Sequence, residues 1–443
     1  MNQTPRKYRY ICINLILIFG FTWSTPGYSQ SSPTISKISK ALNIEDSSEE
    51  LDEGGIGLTY IQRRIIAGEI KESIEWLGQE LELIEKLEGR YSESLVNPLA
   101  LLGDAHFKKG DYYTALQTYQ RAVHLRRVNS GLHSEKQIPI VYREAEAYAA
   151  IENIEEANNR HEYAYSLLKR LHEDQSLELI NGVYRLGDWY SKINNVYAAR
   201  GMYEYALKIL DKHNLLESEE ALPAYRGIAL GYRLERFPPT YIDATAYPTA
   251  NTTQFDENQN AMLSINNFPA AENALQKIIA IHQKSSGTFS FDQEINAILE
   301  LADWYLLWDK TSRARVLYSH VYTRLSDIKK LDATAFFSTP KLLYFPIPKS
   351  RKPPPLQKRG EQLQGQVELG FKVTKGGYVR NLKTLSANPK NPMEFRVRKS
   401  MRLARYRPAL LDGAPADYPD GQHQYTFNYF ETRDNQTTDQ ESN

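Results

Sequence analysis

A 42-residue period governs the middle of this chain. Gly103, Ala145, Gly187 and Ala229 recur at that spacing, and Ala302 follows 73 residues on, which is 42 plus an insertion of 31. Twelve residues after these come further small side chains: Ala115, Ala157 and Ala199, then Ala271 beyond the insertion, then Ala314. Seven further on stand Ala122, Ala164, Ala206, Ile278 and Val321. Three positions held in one register imply pairs of antiparallel helices. Their backbones approach where side chains are small, and Tyr119, Tyr203 and Tyr318 fill the gap beside them. A single hairpin of this kind cannot bury its apolar face alone, so the units must stack.

Leu102-Gly103-Asp104, Leu186-Gly187-Asp188 and Leu301-Ala302-Asp303 are three versions of one helical segment, and Gly89 and Gly131 fall in the turns between units. The pattern resembles the tetratricopeptide repeat, in the 42-residue form of kinesin-light-chain-like arrays. That resemblance implies a mainly α fold, a right-handed α-solenoid of helical hairpins over residues 54–331, with five clear repeats and a degenerate one at the N-terminus. In such arrays the first helix of each hairpin lines a concave groove, and the residue after the small position faces into it. Those residues are Asp104, Glu146, Asp188, Leu230 and Asp303. Four acids in five suit a basic or extended peptide, either a partner's or the chain's own basic linker. The insertion, 237–267, carries Pro238, Pro239 and Pro248 and falls between the two helices of the fourth repeat.

The C-terminal part has a different period. From Gln366 to Val373, Val367, Leu369, Phe371 and Val373 share one face, as in a half-buried strand. Thr374-Lys375-Gly376-Gly377 supplies a hairpin turn, and a second strand runs from about Tyr378 to Leu385. A helix is expected from Pro392 to Tyr406, with Met393, Val397, Met401 and Ala404 as its apolar stripe and Pro408 as its stop. Asp412-Gly413 turns the chain, and Tyr425, Phe427 and Tyr429 alternate along a last strand. These residues, with Val397 to Ala409 as a basic helix running into an aromatic-x-Pro junction, resemble a TonB-type C-terminal domain over about sixty-five residues. The resemblance implies a small two-layer α+β module at 364–430 that grips a partner segment by strand addition. The edge would be the last strand, at Gln424, Tyr425, Thr426, Phe427, Asn428 and Tyr429, with the Asn388–Pro392 approach nearby.

The flanks follow from composition. Arg6, Lys7 and Arg9 precede an apolar run from Ile11 to Phe21, and Gly27-Tyr28-Ser29 is a small-x-small site, so residues 1–29 read as a secretory signal peptide. About thirteen apolar residues are short for a membrane span, which needs roughly twenty. Residues 30–53 are Ser- and Glu-rich and are expected to be a disordered leader, and 431–443 a polar tail of the same kind. Residues 332–363, rich in Pro, Lys and Arg, are expected to be an extended linker. Cys12 is the only cysteine, so a mature chain would contain none. Lys+Arg against Asp+Glu is 33 to 44 over residues 30–340 and 17 to 6 over 341–430, two halves of opposite sign.

No catalytic, cofactor-binding or metal-binding motif is found, and His106 and His161 fall at packing positions of the repeat. The reading is therefore a non-enzymatic periplasmic scaffold whose partners are envelope proteins, an outer-membrane protein among them, with neither nucleic acid nor a small-molecule substrate. Membrane contact is expected only if the N-terminal segment is retained. In that case the alternative is a TonB-type energy transducer anchored in the inner membrane and facing the periplasm.

Overall fold

The computed structural model describes residues 58–238, 267–284, 290–327, 332–348, 359–390 and 392–432. The expected signal peptide, the leader, the tail and most of the insertion lie outside them. Two compact units result, meeting in sequence at Ala224 and Tyr225.

The first unit is all helical: α1 (Leu58–Ala67), α2 (Ile70–Glu88), α3 (Val96–Lys109), α4 (Tyr112–Ser130), α5 (Ile138–Ala150), α6 (Ile154–Leu171), α7 (Ile180–Lys192) and α8 (Val196–Lys212). They pair as hairpins α3–α4, α5–α6 and α7–α8, each hairpin packed on the next, and the shorter α1 with α2 stands where the degenerate unit was expected. The turn inside each hairpin repeats one device. A residue with positive φ ends the first helix (Gly68, Gly110, Glu152, Asn194), and Asp111, Asn153 and Asn195 cap the second by accepting a backbone N–H three residues on. Short 3-10 turns at Glu93–Leu95, Glu135–Gln137, Leu177–Leu179 and Glu219–Ala221 link the hairpins, again 42 residues apart.

The small-residue register has its expected cause. Ala115, Ala122, Ala145, Ala157, Ala164 and Ala206 have no exposed surface. A Cβ on Gly103 would clash with the ring of Tyr119, and one on Gly187 would lie 3.0 Å from that of Tyr203. Each tyrosine thus lies across the backbone of the facing helix, an approach only a very small residue allows.

The second unit contains α9 (Leu222–Arg236) from Tyr225 onward, then α10 (Phe268–Lys284), α11 (Ser290–Leu307) and α12 (Thr311–Ser326). Asn267 ties the far end of the insertion to α9, donating to the Tyr232 carbonyl and to Glu235, both at 2.9 Å. Next come α13 (Ala333–Phe336) and β1 (Lys341–Tyr344), so residues 332–348 are not an extended linker. The sheet module follows: β2 (Arg359–Val373), β3 (Val379–Asn388), α14 (Pro392–Leu403), β4 (Arg405–Arg407), β5 (Ala409–Leu411), β6 (Ala414–Ala416) and β7 (Tyr418–Thr432).

Strands β3, β2 and β7 form one antiparallel sheet in that order, while β1 pairs with β4 and β5 with β6. The helix α14 covers one face. Met393, Val397, Met401 and Ala404 pack against Val367, Leu369, Phe371, Val373, Tyr425 and Phe427. The result is an antiparallel sheet with a helix on one face, and β2 is the half-buried strand that the alternating pattern implied. Four boundaries differ, the first being β3, which runs on to Asn388 rather than ending near Leu385. Strand β2 begins at Arg359, because β7 runs on to Thr432 and pairs with it there. The last strand begins at Tyr418 rather than Gln424. The helix ends at Leu403, because Arg405–Arg407 is taken up as a strand by β1.

Candidate protein-binding sites

In the first unit, the acids expected to line a groove are engaged by neighbouring side chains. The Tyr119 hydroxyl donates to Asp104 Oδ1 at 2.7 Å, and that of Tyr203 to Asp188 Oδ1 at 2.6 Å, the same fifteen-residue step in each hairpin. Arg143 Nε lies 3.4 Å from Asp104 Oδ1, and Arg185 Nη2 lies 3.5 Å from Glu146 Oε1. Each of these arginines comes from the next repeat and sits 39 residues after its acid. The row therefore alternates in sign, and Asp104 and Glu146 are already ion-paired. Burial pushes the Asp104 carboxyl up, against the pull of Arg143 and Tyr119. Where the fifteen-residue step from Glu146 meets histidine, His161 stacks on Trp189 at 4.5 Å, and burial first, then Arg185 and Lys192, lower it to about 4.

Beside this row Glu144 is 2% exposed, 3.7 Å from Arg160 and so too far for a hydrogen bond. Burial raises its carboxyl from 4.5 to about 7. An acid raised on folding binds its proton more tightly in the native state, so its contribution to stability is full below about 4.5 and is lost as pH rises through about 7. Glu144→Gln is expected to remove that slope, on the order of 2 kcal/mol, in denaturation curves taken between those pH values.

In the second unit Leu230 is 39% exposed on α9, while Asp303 is 7% exposed and fully engaged. It accepts from the Tyr318 hydroxyl at 2.8 Å, again fifteen residues on. It also accepts a bidentate pair from Arg407, Nε to Oδ1 at 2.9 Å and Nη2 to Oδ2 at 2.7 Å. Arg405 donates to the Leu306 carbonyl at 2.6 Å and to Asp309 at 2.7 Å, lying 3.7 Å above the ring of Tyr378, which itself donates to Asp309 at 2.6 Å. Ser319 donates to the Gly413 carbonyl at 2.6 Å, and Arg233 to that of Leu343 at 2.6 Å. The sheet module is thus seated directly on α9, α11 and α12. Arg405 and Arg407, expected on the basic helix, are instead the buried strand that seats it. One signal was available: arginines alternate there with Tyr406 and Pro408, a period of two rather than a helical one.

The predicted strand-edge residues Gln424, Tyr425, Thr426, Phe427, Asn428 and Tyr429 lie in the middle of β7. They pair with β2 from Glu368 to Leu363, in a ladder that stays regular from Gln362 to Phe371. Tyr425 and Phe427 point into the core, and Gln422, Gln424 and Asn428 are exposed on the other face. No strand among those described pairs with the outer edge of β7. The opposite edge, β3, is different. Arg398 reaches over it, donating to Thr384 Oγ1 at 2.8 Å with its second nitrogen 3.5 Å from the Leu382 carbonyl, and its ladder to β2 is broken by two irregularities. Asn388 belongs to that strand, so the approach to α14 lies across β2 from the predicted edge rather than beside it.

Among the described residues no group of three or more His, Cys, Asp or Glu is placed to hold a metal ion, and no helix is long and apolar enough to cross a membrane. No family model matches the chain, and no curated protein matches it. Several solved structures are similar to it. One is a putative kinesin light chain of nearly identical TPR-like repeats from Podosopora anserina, at 16% identity and TM-score 0.40, covering 52% of this chain and 95% of that one. BtubC (BKLC) from P. vanneervenii has 15% identity and TM-score 0.41, covering 67% and 98%. The apo form of RapI has 12% identity and TM-score 0.31, covering 61% and 91%.

Proposed function

We propose that this chain is a non-catalytic protein-binding scaffold of the periplasm, in which a TonB-type C-terminal module docks an extended partner segment by strand addition to β7. One observation carries the reading: of the two sheet edges, β3 is covered by Arg398 and irregular along its middle, while β7 offers an edge that is regular from Gly421 to Phe430, with no strand beside it among the described residues. Unpaired backbone donors and acceptors in such a row are a template for another strand. The helical hairpins supply a second protein-binding surface, and its mixed-sign row favours a partner segment carrying both charges. The periplasmic address rests on the basic, apolar and small-residue pattern of residues 1–29.

The energy-transducer alternative calls for a module held on a long tether. The buried Arg407–Asp303 pair favours the scaffold, because it seats the module on the helices next to it in the chain. Thr426→Pro or Asn428→Pro removes a backbone donor from β7. Either is expected to weaken capture of extended peptides, selected from a displayed library on the full chain, by more than ~10-fold. The alanine variants, which keep the donor, should bind as wild type. Undiminished capture by a proline variant with a native melting curve would sink the proposal.

A further inference from the structure

We propose that the outward face of α14 binds anionic membrane surfaces, with Phe395 entering the headgroup layer. Helix α14 holds four cations, Arg396, Arg398, Lys399 and Arg402, against a single acid, Glu394. That acid is turned toward β3, where it accepts from Thr384 at 2.6 Å. At about 100° per residue, α14 divides cleanly into two arcs. Met393, Val397, Ser400 and Met401 form the inner arc, continued by Ala404 just past the helix, all buried. Along the outer arc run Arg398, Arg402, Phe395, Lys399, Leu403 and Arg396, with Phe395 67% and Leu403 45% exposed.

Charge complementarity fixes the sign of the occupant. Four cations stand against one acid on the helix, and Arg402 has no ion-pair partner among the described residues, so this face keeps a net positive charge. The apolar tips fix its kind. An acidic polypeptide would neutralise the cations but has no need of an exposed phenyl ring between Lys399 and Arg402. A lipid surface uses both, because headgroup phosphates meet the cations, their aliphatic stems lie over the acyl boundary, and the ring inserts beside them. This surface lies on the covered face of the sheet and leaves the β7 edge open, so it does not depend on strand addition.

The test is flotation of the full chain with vesicles of phosphatidylcholine alone or mixed with phosphatidylglycerol, with polyglutamate as a competing probe. Binding through the N-terminal segment, with its Arg6, Lys7 and Arg9, is common to all variants, so the quantity read is the difference between wild type and variant in the gain on adding anionic lipid. We expect a gain that falls with salt, by about fivefold for each cation removed, and by more than ~10-fold in the Lys399→Glu/Arg402→Glu variant. Phe395→Ser should lower it several-fold at unchanged charge. Equal partitioning of the wild type into both vesicle types would overturn the proposal. A charge-reversed variant with a native melting curve and undiminished gain would do the same, as would polyglutamate binding that persists beside ignored vesicles.

Discussion

Asp303→Ala is expected to destabilise the second unit by about 3–5 kcal/mol, because it leaves the Arg407 guanidinium buried without its counter-ion. A further group loses its partner at once. The Tyr318 hydroxyl donates to the same carboxylate, and the Asp303 side chain is nearly closed to water, so solvent cannot replace it. Arg407→Ala should cost a similar amount for the converse reason. The double variant Asp303→Leu/Arg407→Met should recover most of the loss, since apolar side chains of similar volume replace buried ion pairs at little cost. Chemical denaturation followed by aromatic fluorescence would measure all three. A single variant that melts like wild type would show that the module is not held by this pair. An unrecovered double variant would show that the pair adds more than burial.

Gly377→Ala is expected to cost about 3 kcal/mol or more, and Gly376→Ala much less. The two glycines are adjacent in one turn, yet only Gly377 has a positive φ, +76°. A Cβ there would press on the Tyr406 carbonyl carbon and oxygen and come within 3.0 Å of Leu306. Strain of about 1–2 kcal/mol from the left-handed backbone adds to a clash with main chain that cannot rotate away. The Tyr406 N–H to Gly377 carbonyl bond, 2.9 Å, joins this turn to β4, so a shift there also disturbs the strand carrying Arg405 and Arg407. At Gly376 a Cβ would meet the Tyr378 ring at 3.3 Å and the Thr374 hydroxyl at 3.8 Å, both side chains. Comparable melting losses for the two variants would refute this account.

Local features carried much of the architecture. The 42-residue register placed the hairpins, because close helix packing demands a small side chain at fixed steps along both helices. Alternation placed β2, and the apolar stripe of α14 placed its buried face, since strand and helix periods leave different marks. The Asp–Tyr step of fifteen residues was also present in the chain three times, at Asp104, Asp188 and Asp303, but a hydrogen bond across a hairpin is visible only when both helices are in place. The sheet-edge residues were found on the middle of a longer strand, because β7 extends as far as β2 offers partners.

What the sequence by itself determined here is periodic: which stretches form hairpins, where their backbones touch, and which face of each strand is buried. Tertiary structure alone decided which charges are spent. Asp303 and Asp104 occupy the same place in their repeats, yet Asp303 is sealed beneath Arg407 while Asp104 stays half-buried beside Arg143. Arg405 and Arg407 read as part of a basic helix until β1 claims them as a strand. The physical reason is range. Backbone period and side-chain size act over a few residues along the chain, whereas the partner that neutralises a buried charge comes from wherever the fold brings it, here 104 residues away.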